Sequence, residues 1–243
     1  MQQKSYDLIV IGAGPAGLIA AGRAAMLGAK VIVLEKMEKP ARKLRITGKG
    51  RCNITNMRPF NEFIQEITPN PRFLNKAFGA LFNKQIIEIL HEMGVETVTE
   101  RGQRVFPASG KAWDVADGLV KWAKNNGAEI YNHCPVTNII EENKTVKGVK
   151  LEDNSEIIAP YIIIATGGKS YPATGSTGDG YRFAKQLGHT IVELRPSLTG
   201  IETHPSFPQL NKLNLRNVNA SLYIDGRKVD EEFGEVEFTD YGV

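Results

Sequence analysis

Cysteine is scarce in this sequence, and its scarcity excludes several kinds of site. The two cysteines, Cys52 and Cys134, lie far apart in a chain of 243 residues. They predict neither a disulfide framework, nor a CxxC redox pair, nor a zinc site. The four histidines also lack the spacing of metal ligands. We therefore predict no metal centre.

Long apolar runs are missing as well. No window approaches the roughly eighteen apolar residues that a membrane span requires. The first residues lack the basic segment, apolar run and small-residue cleavage site of a secretory signal. The formal net charge is only +3, too small to indicate nucleic-acid binding by itself. Together these absences predict a cytoplasmic protein that makes no use of a membrane.

The sequence has the composition of a globular protein and contains one strong motif. With 42% hydrophobic and 23% charged residues, the chain can bury a sizeable core in one or two domains. An apolar strand at 6–11 leads into GAGPAG at 12–17, an alanine-rich helix follows over 15–27, and a second apolar strand ends at Glu35. This order is typical of a dinucleotide-binding βαβ unit.

Each glycine of this motif, and the acid that follows, has a predicted role set by its chemistry. Gly12 permits the tight turn after the strand, Gly14 lets the backbone approach a pyrophosphate, and Gly17 lets the helix pack against the sheet. Glu35 can accept both hydroxyls of an adenosine ribose and repels a 2′-phosphate. The motif therefore predicts FAD or NAD rather than NADP, and its place near the N-terminus is typical of FAD-binding flavoproteins.

The rest of the chain predicts an α/β fold with a parallel sheet and a β-meander crossover. Periodicity predicts helices over 83–93 and 112–124 and strands over 95–99, 129–131, 136–141, 146–151 and 156–164. The strands after residue 129 are predicted to form the meander. The apolar run at 161–164 predicts a central parallel strand covered on both faces. Trp113 and Trp122 are predicted to lie in the core.

Composition also indicates where a second domain begins. After Arg195 the chain shifts to proline, asparagine and short alternating stretches. We predict an FAD-binding Rossmann-like domain over 1–194 and the beginning of a β-rich substrate or insert domain over 195–243.

A basic segment follows the βαβ unit. Seven cations occur with no acid between them: Lys39, Arg42, Lys43, Arg45, Lys49, Arg51 and Arg58. Such a run is typical either of a solvated loop or of a surface that meets a polyanion, here a pyrophosphate or an anionic substrate. Both interpretations stay open, and the second is the one feature that favours RNA.

These motifs together resemble the bacterial BaiN-type NAD(P)/FAD-dependent oxidoreductases, also described as aminoacetone-oxidase-like FAD-binding enzymes. The resemblance covers 7–35, 42–56, 104–107, 165–168, 175–181 and 235–239, and GRCNITN at 50–56 is its most specific part. Asp240 departs from the family pattern, which has histidine there. Family members continue well beyond this point, so we expect the chain to be an N-terminal fragment.

The resemblance implies an FAD-dependent oxidoreductase that transfers hydride through flavin N5. Its substrate is unknown, NAD(P)H stays open as a transient electron donor, and no catalytic residue is predicted. Motif and resemblance together give these cofactor-binding residues: Gly12, Gly14, Pro15, Ala16, Gly17, Glu35, Lys36, Lys43, Thr47, Gly48, Arg51, Cys52, Asn53, Val136, Ala165, Thr166, Gly167, Gly168 and Asp179.

Individual roles follow from the chemistry of these residues. Lys43 and Arg51 would compensate the pyrophosphate charge, and Val136 would contact adenine through its backbone. The loop residues are assigned to the flavin side: Thr47, Gly48, Cys52 and Asn53. Cys52 is more typical of a buried small hydrophobic residue than of a redox thiol. Asp179 would face flavin or ribityl hydroxyls, or belong to a plain turn.

Three alternatives to this function stay open. One is a non-catalytic FAD-binding fragment that lacks the C-terminal flavin wall. Another is a flavin-dependent reductase of an RNA base or of a different conjugated C=C substrate. The third is an NAD-dependent dehydrogenase. The sequence leaves the substrate and the oligomeric state undetermined.

Overall fold

The structure is a computed structural model that describes residues 5–196 and 199–243. Contacts divide the chain into two compact units, Met1–Ile191 and Val192–Val243. Parts of both predicted domains, residues 1–4 and 197–198, lie outside the described residues, and the predicted boundary after residue 194 stays a prediction. Among the described residues, no helix combines the length and apolar character of a membrane span.

The larger unit contains the α/β elements expected from the sequence. Its described helices and strands are β1 (Leu8–Ile11), α1 (Pro15–Met26), β2 (Val31–Leu34), α2 (Arg42–Ile46), β3 (Thr55–Asn56), α3 (Phe60–Gln65), α4 (Asn75–Ala80), α5 (Asn83–Glu92), β4 (Thr97–Thr99), β5 (Arg104–Pro107), α6 (Ala112–Asn125), β6 (Glu129–Tyr131), β7 (Val136–Glu142), β8 (Thr145–Leu151), β9 (Glu156–Ile158), β10 (Tyr161–Ile164) and α7 (Asp179–Gln186). The predicted Rossmann-like α/β class is confirmed.

A four-stranded parallel sheet organises this unit. Its order is β10-β1-β2-β6, and Leu8 of β1 lies in register with Tyr161 on one side and Val31 on the other. Because successive strand residues point to opposite faces, Val10 packs with the core of α1 and α6, whereas Ile9 packs with the core of β7, β8 and α7. Both faces of β1 are covered, which explains its uninterrupted apolar sequence.

Two strand predictions are wrong in detail. Strand β6 was expected in the meander but pairs in parallel with β2, so β7, β8 and β9 alone form the antiparallel meander. The single strand expected over 156–164 is divided into β9 and β10, which belong to different sheets. Pro160 separates them, and proline cannot donate to a strand ladder.

The position of β10 also differs from the prediction. It is a parallel strand, as expected, and pairs with β1, but within the described residues it lies at the edge of the sheet rather than at its centre. Tyr161 is 69% exposed. A short apolar run does not reveal whether its second edge is paired, because periodicity reports only the faces of a strand.

The remaining described strands form two smaller sheets. In the larger unit, β3, β5 and β4 form an antiparallel sheet. The smaller unit contains β11 (Asn214–Ile224) and β12 (Arg227–Glu237), which pair as an antiparallel hairpin. The alternating stretches noticed in the sequence are therefore parts of two long strands.

The two tryptophans of α6 have different environments. Trp122 is buried against α1, as predicted. The prediction is wrong for Trp113, which is 49% exposed and carries the guanidinium of Arg45 over its ring at 4.4 Å. The helical pattern could not reveal this, since the partner of Trp113 comes from α2.

The contact between α1 and α6 gives a first testable prediction. A Cβ at Gly22 would lie 2.2 Å from Trp122 Cζ3. Although alanine favours helix more than glycine does, overpacking of a core of this kind costs about 1–3 kcal/mol. We therefore expect Gly22→Ala to lower the free energy of unfolding measured by urea denaturation.

A second helical glycine supplies the control. A Cβ at Gly79 in α4 meets nothing within 4 Å, so Gly79→Ala should leave stability unchanged or raise it by up to about 1 kcal/mol. If Gly22→Ala also raised stability, the close contact with Trp122 would be wrong.

Candidate functional site

A cleft opens at the carboxyl ends of β1, β2 and β10, within the larger unit. Gly12 N donates to Leu34 O at 2.8 Å and Ala165 N donates to Ile11 O at 2.9 Å, so the three strands end side by side. Open parallel sheets bind ligands at this edge. The predicted residues on the wall of the cleft are Gly12, Gly14, Pro15, Ala16, Glu35, Lys36, Lys43, Val136, Ala165, Thr166, Gly167 and Asp179.

The turn between β1 and α1 has its shape because of two glycines. Gly12 has φ = +98°, and a Cβ there would lie 2.7 Å from Ala165 O. A Cβ at Gly17 would lie 2.0 Å from Gly12 O. Neither position accepts a side chain without moving the backbone, so the chain itself requires glycine at both.

Gly14 is different, because nothing in the chain requires glycine there. It is the N-cap of α1, with φ = −74° and ψ = 177°, and no described side chain caps the helix. A Cβ at Gly14 would meet no atom within 4 Å. Gly14, Pro15 and Ala16 line the cleft, so the N-terminus of α1 lies at the cleft without a side-chain cap, and a helix N-terminus is favourable for phosphate.

Glu35 is held in place by backbone amides. Its Oε2 accepts a hydrogen bond from Ala13 N and its Oε1 accepts one from Met37 N, both at 2.9 Å. Each carboxylate oxygen can accept more than one hydrogen bond. The carboxylate is thus fixed at the mouth of the cleft with capacity left for ribose hydroxyls.

Lys36, the next residue, reaches across to the other wall. Its Nζ donates to Thr177 Oγ1 and to Asp179 Oδ2, both at 2.6 Å. Burial acts to raise the pKa of Asp179, but the hydrogen bonds from Lys36 and Thr177 and the charges of Lys36 and Arg182 outweigh it, so this pKa is lowered. Asp179 is the first residue of α7, and an anion is favourable at that helix end.

The basic segment divides between the cleft and intramolecular ion pairs. Lys39, Arg42 and Lys43 line the cleft, and Lys43 Nζ donates to Ser170 Oγ at 3.1 Å. Arg42 also pairs with Glu38 at 2.7 Å. Three cations outside the lining pair with acids: Arg45 with Asp117 at 2.8 Å, Arg51 with Glu100, and Arg58 with Glu66 at 2.5 Å. Only part of the run therefore faces a ligand site.

Seven predicted site residues lie away from the lining of the cleft: Gly17, Thr47, Gly48, Arg51, Cys52, Asn53 and Gly168. The loop after α2 is ordered internally, since Thr47 Oγ1 donates to Leu44 O at 2.7 Å and Cys52 N to Thr47 O at 3.0 Å. Arg51 lies over the Phe106 ring at 4.3 Å. The flavin contacts assigned to this loop, and the pyrophosphate role of Arg51, stay predictions.

The cleft also contains residues outside the predicted cofactor-binding set, of which Lys39 and Arg42 belong to the basic segment: Ile11, Leu34, Lys39, Ala41, Arg42, Leu44, Cys134, Thr174, Gly175, Ser176 and Phe183. The glycine-rich stretch at 175–180 was a usable signal for some of them, because such loops permit close approach of a ligand. Cys134 and Phe183 had no local signal and reach the cleft only through the packing of β7 and α7.

One hydroxyl in the wall lacks a partner. Thr166 Oγ1 is buried and makes no hydrogen bond to any described residue, although Thr166 lines the cleft. A buried polar atom without a partner is costly unless a ligand or water satisfies it. This hydroxyl, the open face at Gly14 and the fixed Glu35 carboxylate all fit a bound dinucleotide.

The two cysteines should differ in reactivity. Cys52 is 1% exposed, and burial raises its pKa above the ordinary thiol value, with Thr47 opposing the shift. Cys134 lines the cleft and is half-buried, and burial, then the charge of Asp153, raises its pKa as well. Because only the thiolate reacts, we expect both thiols to be slow at neutral pH and Cys134 to react first as the pH rises.

The measurement is modification by a disulfide reagent such as DTNB, followed by peptide mass spectrometry. FAD added beforehand should protect Cys134, while Cys134→Ser leaves a chain that reacts only after unfolding. Early labelling of Cys52 in the folded chain would contradict the buried position of that thiol.

Comparisons with known proteins give the same picture of the fold. The family described as HI0933-like protein Rossmann domain matches residues 6–237. A ribosomal RNA dihydrouridine synthase from Haemophilus influenzae is 32% identical over 206 residues, covering 82% of this chain and 49% of that protein. A 3-dehydro-bile acid delta(4,6)-reductase from Clostridium scindens is 30% identical over 240 residues, covering 96% of this chain and 56% of that protein.

The fold is also similar to that of a solved structure. A quinol fumarate reductase from E. coli superimposes with a TM-score of 0.54 at 16% identity, covering 69% of this chain and 33% of that one. The chain spans about half the length of the two curated relatives described above.

Proposed function

Because the chain belongs to the HI0933-like Rossmann-domain family, we propose that it is the FAD-binding part of an FAD-dependent oxidoreductase. One observation carries this proposal most directly. Gly14 faces open space at the start of α1, with no atom of the chain within 4 Å of a Cβ placed there. A glycine that the protein does not need for itself is well explained by a pyrophosphate that approaches the backbone at that point.

Different residues of the cleft would bind different parts of FAD. The amides at the start of α1 would stabilise the diphosphate, and Lys43 would add positive charge. Glu35, held by the amides of Ala13 and Met37, would accept the adenosine ribose hydroxyls. Val136 lines the same cleft and would contact adenine through its backbone.

FAD, when bound, supplies the capacity to accept and donate hydride. The chain's own residues bind it, orient it and exclude water from one side of it. Thr47, Gly48, Cys52 and Asn53 would stand on the flavin side, and Thr166 Oγ1, which lacks a partner among the described residues, would donate to the cofactor. NAD(P)H would reach the flavin as a transient donor.

The substrate class that we favour is a conjugated C=C bond that is reduced. Its support is that two relatives named for different substrates, the ribosomal RNA dihydrouridine synthase and the delta(4,6)-reductase, are both named for forming a more saturated product. The substrate itself and the cytoplasmic location stay predictions.

The deciding experiment is reconstitution. The chain is incubated with FAD, desalted and examined for visible flavin absorption, with NAD and NADP in parallel. Retained flavin supports the proposal. Retained NAD without flavin would replace it by an NAD-dependent dehydrogenase. A chain that binds flavin yet turns over neither NADH nor NADPH with any acceptor would favour a non-catalytic module.

An RNA base is a second candidate substrate, and one surface observation favours it. Trp113 is 49% exposed, and the centre of its ring lies 4.4 Å from the Arg45 guanidinium and 5.3 Å from Nζ of the cleft-lining Lys39. Exposed aromatic rings next to cations are typical of surfaces on which bases stack. Filter binding of ribosomal RNA should then weaken steeply with salt and weaken further in Trp113→Ala, whereas a small-molecule reductase would show neither effect.

A further inference from the structure

A single ammonium group ties two walls of the cleft together. Lys36 lies two residues after the end of β2, and its Nζ donates to Asp179 Oδ2 and to Thr177 Oγ1 at 2.6 Å each. The acceptors are themselves joined, since Thr177 Oγ1 donates to Asp179 Oδ2 at 3.0 Å. We call this three-residue arrangement, Lys36, Thr177 and Asp179, the strap.

The strap lies on the wall of the cleft itself. Thr174 and Gly175, from the connection between β10 and α7, and Asp179, the first residue of α7, line the cleft. A Cβ at Gly175 would lie 2.8 Å from Met37 Cγ, so this connection is pressed against the chain that follows β2. The connection cannot leave its place without opening this side of the cleft.

The strap joins positions that no local structure holds together. Lys36 and Asp179 are 143 residues apart in the sequence, and their side chains are 27% and 28% exposed. Partial burial makes such an ion pair stronger than a fully solvated one, because water screens it less. Arg182 adds a more distant cation, 3.8 Å from Asp179 Oδ1.

We propose that Lys36 and Asp179 are positioning residues that act as a pair: the strap holds the 174–179 connection against the end of β2 and thereby slows the departure of a dinucleotide bound beside Glu35. The ordering of the connection is a property of the chain without ligand. Its effect on the bound cofactor rests on the proposed FAD function.

The rival explanation is that Lys36 and Asp179 each contact FAD and act independently. The two explanations differ in whether the effects of the two substitutions are independent in the double variant. If the pair acts through the strap, either substitution alone already breaks the ion pair, so the second substitution adds no further effect. If the residues act separately, their effects multiply.

The first test uses the ligand-free chain and hydrogen exchange with mass spectrometry. In Lys36→Met and in Asp179→Asn, amides of 174–182 should exchange about fivefold faster or more, the range expected for a lost charge-assisted hydrogen bond. The double variant should be no faster than either single variant. Lys36→Arg should keep most of the protection, because it retains the cation.

Lys185→Met is the matched control, since Lys185 is an exposed cation in the last turn of the same helix α7. Its exchange profile over 174–182 should equal that of the wild type. Unchanged exchange in both Lys36→Met and Asp179→Asn would overturn the strap, whatever the chain binds.

The second test measures release of FAD after dilution, followed by the recovery of flavin fluorescence. Each single variant should release FAD about fivefold faster or more, and the double variant should match the faster single variant. Effects that multiply in the double variant would overturn the proposal in favour of separate FAD contacts. A wild-type chain that binds no FAD, together with the predicted exchange results, would reject the proposed function and leave the strap standing.

Discussion

The Gly14→Ala chain is expected to fold as the wild type does and to bind FAD about a hundredfold more weakly, a loss of about 2.8 kcal/mol. Gly14 has dihedral angles open to any residue, φ = −74° and ψ = 177°, and an added Cβ meets no atom of the chain. The methyl group would instead occupy open space where Gly14 lines the cleft. The measurements are the FAD dissociation constant by fluorescence titration and the unfolding midpoint.

Gly17→Ala is the informative contrast to this variant. Its Cβ would lie 2.0 Å from Gly12 O, so the turn between β1 and α1 would have to shift. We expect Gly17→Ala to lose stability and FAD affinity together, whereas Gly14→Ala loses affinity alone. Wild-type affinity in Gly14→Ala would mean that the pyrophosphate does not approach this turn.

The second large effect is expected from Glu35→Ala, which should reduce both stability and FAD affinity. The substitution removes the acceptors of Ala13 N and Met37 N, and Ala13 is fully buried. A buried amide without a partner costs about 1–3 kcal/mol. The lost ribose acceptor should weaken FAD binding by more than about tenfold, since a hydrogen bond to a charged group contributes about 1.5–3 kcal/mol. Urea denaturation and FAD titration measure the two effects separately.

Two further variants separate the contributions of Glu35. Glu35→Gln keeps one acceptor oxygen but presents an amide group to the other backbone N–H, so its losses should fall between those of the wild type and Glu35→Ala. Glu88→Ala removes an exposed carboxylate of α5 that is not part of the cleft lining, and it should change neither quantity appreciably. An undiminished FAD affinity in Glu35→Ala would place the ribose elsewhere.

The β1–α1–β2 unit was predictable because its determinants are local. An apolar strand, three glycines at fixed spacing, an alanine-rich helix and an acid at the end of the next strand all lie within 6–35. Steric requirements at Gly12 and Gly17 act over a few residues of chain. Local spacing was therefore enough to predict the fold class and the edge of the sheet where the cleft opens.

The basic segment shows where local information ends. Its residues look alike in sequence, yet Arg45 is 8% exposed and paired with Asp117, whereas Lys39 and Lys43 line the cleft. The acid that neutralises Arg45 stands 72 residues further along. No periodicity records such a partner, so the division between ligand-facing and internally paired cations could not be predicted.

The pairing of the strands could not be predicted from local sequence either. Their existence was legible from apolar runs and alternation, but the placement of β6 in the parallel sheet, the switch of sheets between β9 and β10, and the edge position of β10 among the described strands depend on which strand meets which. Strand pairing is a choice among distant segments, whereas apolar patterning reports only which faces are buried.

The amino-acid pattern alone was therefore sufficient for a Rossmann-like α/β unit, a glycine turn at 12–17 and an acid at the end of β2, because each depends on neighbours in the chain. The tertiary structure was needed to bring Cys134 and Phe183 to the cleft and to join Lys36 to Asp179 across 143 residues. Those contacts arise from the packing of separate elements, and the free energy that selects them is shared among residues with no fixed spacing in the sequence.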